Sequence, residues 1–465
     1  MTGVVNFFKR FSKGFWVANF AELLERAAYY GVFIVITLYL SRILAFSDVE
    51  AALISGTFSA LLYFLPTFTG AYADKIGFKK SLVVAFGFLT IGYFGLGVFP
   101  TFLEGAGLAT YGFTTEFTGL KEANEKYIII PIMALIIIGG SFIKSVITGT
   151  VAKETSTATR ATGFSIFYTI VNIGSFSGKT IVKPLREAMG NVGLINISYF
   201  SAGMTLLALI AIIFFFRPSV THGEGKSIKE IWKALVRVVL NFRLLILIII
   251  ITGFWMVQHQ LYATMPKYVL RMAGEGASPS WYANVNPLVV FTTVGLITSW
   301  LRKKTALFSM TVGMFIMPVS AFAMAAGNMI GGETMGFVNM HPVAFMMIVG
   351  IGFQGLAESF ISPRFLEYFS LQAPKGEEGL YLGFSHLHSF LSSLLGFGLS
   401  GVLLEKWCPD PLTLSDTEKL TAYDNAHYIW FVFVAIASVS AIALIVYGYV
   451  TKKLDAKKEL LSSEV

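Results

Sequence analysis

The 465-residue chain is 55% hydrophobic and only 13% charged, with a mean hydropathy of +0.70. Soluble domains carry about 25% charged residues, so the composition excludes a soluble globular protein and leaves a polytopic membrane protein. A net charge of +8 gives no support to nucleic-acid binding, because the basic residues are spread between apolar spans. The single cysteine, Cys408, rules out an intrachain disulfide or a cysteine-based metal site, and the histidines are scattered rather than paired at ligand spacing. Neither a metal nor an organic cofactor is expected.

Twelve apolar spans are predicted, at approximately 15–44, 50–73, 81–104, 127–151, 161–182, 192–216, 242–265, 281–301, 305–326, 341–370, 378–404 and 427–451. The first is too long for the apolar region of a cleavable signal peptide and no small-residue cleavage site follows it, so its retention is expected. With the N-terminus inside, 22 Lys and Arg fall in cytoplasmic segments and 9 outside, and 4 of the chain's 35 stay within spans: Arg26, Lys144, Lys179 and Arg364. That bias puts both termini in the cytoplasm.

The chain divides at its middle. The stretch 218–241 contains Pro218, Gly223 and Gly225, and then Ile228, Ile231, Trp232 and Leu235 alternate with lysines at helical spacing. It reads as an amphipathic helix on the inner membrane surface, joining a six-helix bundle at 1–217 to a second at 242–465. Six plus six is the internal-repeat architecture of many secondary transporters; hydropathy alone leaves open two unrelated halves.

Span 1 carries an unusual charge. Glu22, Glu25 and Arg26 lie at i, i+3 and i+4, with Tyr29 and Tyr30 a turn further along the same face. An ionised group at bilayer depth costs several kcal/mol unless it faces a polar cavity or a partner, so such residues are functional candidates by default. Two carboxylates sharing one guanidinium can hold an extra proton, which makes the cluster a seat for proton coupling. The other reading is a buried ion pair that only fixes packing, for which the second glutamate is superfluous.

The loop after span 2, from Gly70 through Asp74 and Gly77 to Lys79 and Lys80, resembles the G-x-x-x-D-x-x-G-x-[RK]-[RK] loop of the major facilitator superfamily. Within it, Glu22, Glu25, Arg26, Tyr29, Tyr30 and Gly31 resemble the E-x-x-E-R-x-x-Y-Y-G signature of proton-dependent oligopeptide transporters. Phe167, Tyr168, Asn172, Gly174 and Ser175 in span 5 look like that family's F-Y-x-x-x-N-x-G-S. Glu358, Ser362 and Pro363, followed by Ala373, Pro374, Lys375, Gly379 and Gly383, resemble its signature in spans 10 and 11. Lys144 stands where the family has its span 4 lysine, and the matches keep their order along about the whole chain. The resemblance implies an all-α integral membrane protein with the major facilitator fold, and not an enzyme.

The departures are specific. Phe33 stands near the position where the family often has an arginine; Ser145 and Val146 replace the Asn-Pro that commonly follows the lysine. In span 7, Phe254, Trp255, His259 and Gln260 resemble F-W-x-x-x-E-Q with histidine in place of the acid. The 218–241 linker is too short for the two extra helices of many bacterial members.

Tyr168, Asn172 and Lys179 share one face of span 5. Lys179 lies outside the family pattern, and is either a replacement for the charge missing at Phe33 or a lysine snorkelling to the interface. By the resemblance, Glu358 receives a peptide's amine, while Lys144 and Lys179 receive its carboxylate. Tyr29, Tyr30, Tyr63, Tyr168, Asn172 and Trp255 line the site or simply pack, and His259 offers a second titrating group or a plain hydrogen bond. Arg364 and Glu367, at i and i+3, are expected to pair with each other outside the site.

The expected function is proton-coupled import of di- or tripeptides by rocking of two bundles around a central site, with Glu22, Glu25, Arg26 and Lys144 coupling the proton. The setting is a bacterial inner membrane, the coupling ion H⁺, and a monomer suffices. Alternatives are transport of a non-peptide small anion or amphipathic compound, a drug/proton antiporter, and a nutrient receptor that binds without flux.

Overall fold

A computed structural model describes residues 11–156, 159–218, 227–336, 338–373, 378–419 and 421–463. Gly223 and Gly225 of the linker, and Pro374 and Lys375 of the third signature, lie outside the described residues. The chain divides into two compact units, Met1–Ile231 and Trp232–Val465.

In the first unit, span 1 is two helices, α1 (Lys13–Phe33) and α2 (Ile36–Arg42), bent by 45°. The break falls in Val32-Phe-Ile-Val-Ile-Thr37, a run rich in β-branched residues, which crowd a helix against its preceding turn. Span 2 is likewise α3 (Asp48–Phe64) and α4 (Pro66–Ile76), bent by 48° where Pro66 lacks a backbone N–H. A capping box of Ser47 and Glu50 starts α3. There follow α5 (Phe78–Gly105), α6 (Ile129–Lys153), α7 (Arg160–Met189) and α8 (Asn191–Phe215).

Between α5 and α6, where the sequence suggests only a loop, β1 (Ala109–Tyr111) pairs antiparallel with β2 (Thr115–Phe117). Strands of three residues are too short to leave a readable alternation. Tyr111 Oη ties the ribbon down by donating to the Ile43 carbonyl at 2.9 Å.

The connecting helix α9 (Ile228–Leu240) is amphipathic as expected, with Ile231, Ala234, Leu235 and Val238 buried on one stripe. Ile228 and Trp232, expected on the same apolar face, are exposed beside it.

The second unit begins with α10 (Phe242–Gln258), which ends at His259 and continues as α11 (Gln260–Ala263) and α12 (Met265–Ala273). The short α13 (Pro279–Tyr282) precedes α14 (Val285–Trp300). Then come α15 (Ala306–Ile330), α16 (Pro342–Leu371), α17 (Glu378–Ser385), α18 (Leu387–Trp407), α19 (Asp416–Lys419) and α20 (Tyr428–Ser463).

Among the described residues eight helices are individually long and apolar enough to cross a membrane, or ten if each bent pair counts as one. The remaining two of the twelve are α7, which is 30 residues long but carries several charged residues, and α14, which is apolar but only 16 residues long. The chain is therefore a multi-pass integral membrane protein whose helix count agrees with twelve.

The pairing pattern repeats. In the first unit α1 packs on α7 and α8, α5 on α6 and α8, and α4 on α6. Six spans later α10 packs on α18 and α20, α15 on α16 and α20, and α14 on α16. Matching neighbours at matching positions argue for an internal repeat over two unrelated halves.

Candidate functional site

On α1, Glu22, Glu25 and Arg26 are 3%, 2% and 7% exposed. Arg26 Nε lies 2.9 Å from Glu22 Oε1, and its Nη2 lies 2.5 Å from Glu25 Oε2. One guanidinium therefore holds both carboxylates, and its plane also lies 5.7 Å from the Tyr29 ring centroid. Glu22 Oε2 is buried with no hydrogen-bond partner. A lone acceptor in such a place is costly, and a proton there would lower that cost.

The stripe is sealed by backbone contact. A Cβ on Gly174 of α7 would stand 2.6 Å from Arg26 Cβ, and one on Gly178 would stand 2.2 Å from the Ala27 carbonyl oxygen. Only glycine at these two positions lets α7 close on α1 beside the guanidinium.

Lys144 of α6 lies on another side of the cluster. Its ammonium is 4.0 Å from the Tyr63 ring centroid and donates to the Leu62 carbonyl at 3.3 Å. Among the described residues no ion pair within 4.0 Å joins Lys144 to Glu22 or Glu25, whose carboxylates are both taken by Arg26. Ser145, in the place of the family's asparagine, donates from Oγ to the Pro66 carbonyl at 2.5 Å, beside the α3/α4 bend.

Phe33 stacks on Tyr29 with centroids 5.1 Å apart, and is buried. The family's arginine position is thus filled by an aromatic stack, with Tyr30 edge-on to Tyr29 at 5.1 Å. Lys179 is 1% exposed, with its ammonium 5.4 Å from the Tyr30 ring centroid. Such burial speaks against snorkelling. Tyr168 is exposed, and Asn172 Nδ2 donates to the Tyr168 carbonyl at 2.8 Å on the same helix.

In the second unit Glu358 of α16 accepts at Oε2 from Gln258 Nε2 at 2.9 Å and from Asn286 Nδ2 at 3.3 Å. Gln258 and Asn286 did not stand out in the sequence, since neither is charged; their only signal was an amide near a span's end. His259 is 4% exposed, with Nδ1 at 3.2 Å from Ser392 Oγ and 3.4 Å from Ser393 Oγ. Trp255 stacks on His388 at 5.3 Å, a second buried histidine absent from the sequence-based site. Arg364 donates to Glu367 at 2.8 Å and to the Leu301 carbonyl at 2.6 Å, the expected pair. Among the described residues no group of three His, Cys, Asp or Glu is placed to hold a metal.

A sequence profile of the Major Facilitator Superfamily matches residues 18–338. Dipeptide and tripeptide permease B of Photorhabdus luminescens is 22% identical over 441 residues, 83% of this chain and 86% of that protein. The permease of the same name from Photorhabdus asymbiotica is 24% identical over 462 residues, 89% and 91% of the two chains. In fold, the chain is similar to tetrameric PepTSo2, with a TM-score of 0.71 and 18% identity over 95% of this chain and 99% of the other. It is also similar to the POT family transporter PepTSo, with a TM-score of 0.70 and 18% identity over 95% and 98%.

Proposed function

Because the chain belongs to the Major Facilitator Superfamily, and the resemblance of its signatures to the proton-dependent oligopeptide transporters is borne out by its relatives, we propose that it is a proton-coupled symporter of di- and tripeptides. The observation that carries the reading is the α1 cluster: two buried carboxylates on one guanidinium, with one carboxylate oxygen unpartnered.

Proton entry is favoured by about 2.3 kcal/mol per 100 mV and about 1.4 kcal/mol per pH unit, enough to concentrate a peptide tenfold or more. Protonation of Glu22 or Glu25 weakens that residue's claim on Arg26. Lys144 and Lys179 then serve the substrate carboxylate, and Glu358, held by two neutral amides, serves the ammonium. Loss of the proton on the other side restores the full negative charge and expels the substrate, the two six-helix units alternating access. In this reading the protein acts as a monomer in a bacterial inner membrane with both termini in the cytoplasm, and needs no cofactor besides the coupling proton.

The test is uptake of labelled dialanine into proteoliposomes, with and without an inward proton gradient and a negative-inside potential. Accumulation that collapses with a protonophore is expected. Glu22→Gln and Glu25→Gln are each expected to lower concentrative uptake at least about tenfold while sparing counterflow. Normal concentrative uptake by both variants overturns the coupling role.

A second reading, transport of a small non-peptide anion, is favoured by the Phe33 stack and by buried Lys179. Its mark is a competition panel in which anions, and not dipeptides, displace the substrate. Binding without flux in the same vesicles would identify a receptor.

A further inference from the structure

The lipid-facing side of α15 and α16 bears a groove of about 400 Å³ lined by Phe308, Val312, Phe315, Val319, Phe353 and Leu356, among others. Thr311 also lines it, but its hydroxyl donates to the Leu307 carbonyl at 2.8 Å, which leaves its methyl as the contact surface. Phe308, Phe315 and Val319 are about half exposed. Behind the groove the two helices are already in backbone contact: a Cβ on Gly313 would stand 2.8 Å from the Ala357 carbonyl oxygen, and one on Gly350 would stand 2.9 Å from that of Ser320. The channel is therefore a fixed feature of the surface and not a gap that closure of the helices would remove.

Its length and its mouth identify what fits. From Phe308 to Val319 the helix rises about 16 Å at 1.5 Å per residue, close to half of the roughly 30 Å hydrocarbon core, which is the depth of one leaflet. The turn before Phe308 presents Arg302, Lys303 and Lys304, all exposed. Lys304 reaches back so that its ammonium lies 5.6 Å from the Phe308 ring centroid, at the end of the groove. Neither Asp nor Glu occurs in the chain between Glu275 and Glu333, so no sequence neighbour offsets the three cations.

We propose that this groove binds an anionic phospholipid, with one acyl chain along Phe308, Phe315 and Val319 and the phosphate at Arg302, Lys303 and Lys304. An apolar channel one leaflet deep ending in a basic collar complements that ligand at both ends, and a zwitterionic lipid at only one.

The full-length protein, reconstituted in mixed vesicles, is photolabelled with phosphatidylglycerol carrying a diazirine on its acyl chain, and with phosphatidylcholine of the same chains. Labelled peptides are then mapped. Label from phosphatidylglycerol is expected to concentrate on residues 308–319 and 353–356, at least about tenfold above phosphatidylcholine, since each basic residue near a headgroup contributes about fivefold. The triple variant Arg302→Gln, Lys303→Gln, Lys304→Gln is expected to reduce it to the phosphatidylcholine level. Val319→Trp is expected to displace the label while leaving the basic collar in place. Equal labelling by the two lipids overturns the proposal, even if the triple variant fails to fold. Crosslinks between copies across this face, with lipid label absent, overturn it in favour of a protein–protein contact.

Discussion

The two units hold their acidic residues in opposite ways. In the first, Glu22 and Glu25 are held by a full positive charge, and the helix beside them closes to backbone contact. In the second, Glu358 is held by the side-chain amides of Gln258 and Asn286. A guanidinium shared by two acids offsets one charge and leaves a place for a proton. Neutral amides orient a carboxylate without cancelling its charge. The two clusters thus differ in how their charge is offset.

Removing the cation is the strongest way to break this contrast. Arg26→Leu leaves two buried carboxylates without their counter-ion and is expected to destabilise the protein by about 3–5 kcal/mol, read as a fall in the thermal midpoint in detergent. Next comes the glycine seam. Gly178→Ala puts a methyl against the Ala27 carbonyl and is expected to cost about 1–3 kcal/mol. Its counterpart on the α10–α18 pair, Gly396→Ala, meets its nearest atoms only at 3.3 Å and is expected to cost clearly less. The smallest effect is at the amide clamp. Gln258→Leu removes the Nε2 donor to Glu358 and is expected to cost about 1–2 kcal/mol, with weaker binding of peptides whose amino terminus is free and little change for amino-blocked ones. Equal losses for Arg26→Leu and Gln258→Leu would erase the distinction between the two regions.

Much of the architecture is legible in the residues themselves. Span boundaries follow from apolar runs, and the charged stripe on α1 from a spacing of three and four. What stays hidden has physical reasons. The β1–β2 ribbon is too short to impose a pattern. The role of Gly174 and Gly178 depends on which helix lies opposite, which one span's sequence does not contain. Lys144 resting on Tyr63 instead of on a glutamate is decided by competition, since Arg26 sits one turn from Glu22 and next to Glu25 on the same helix, whereas Lys144 must reach from another helix. Gln258, Asn286 and His388 are ordinary residues in polar-flecked spans until the fold brings them beside Glu358 and Trp255.

The contact between Gly178 and Ala27 also has a mechanical consequence. Two helices whose backbones touch cannot slide past each other without first separating, and separation would open the charged stripe to solvent or lipid. Helix α1 and helix α7 are therefore welded into one lever. Whatever rearrangement the protein undergoes, the glutamates and the lysine at position 179 travel together on that lever.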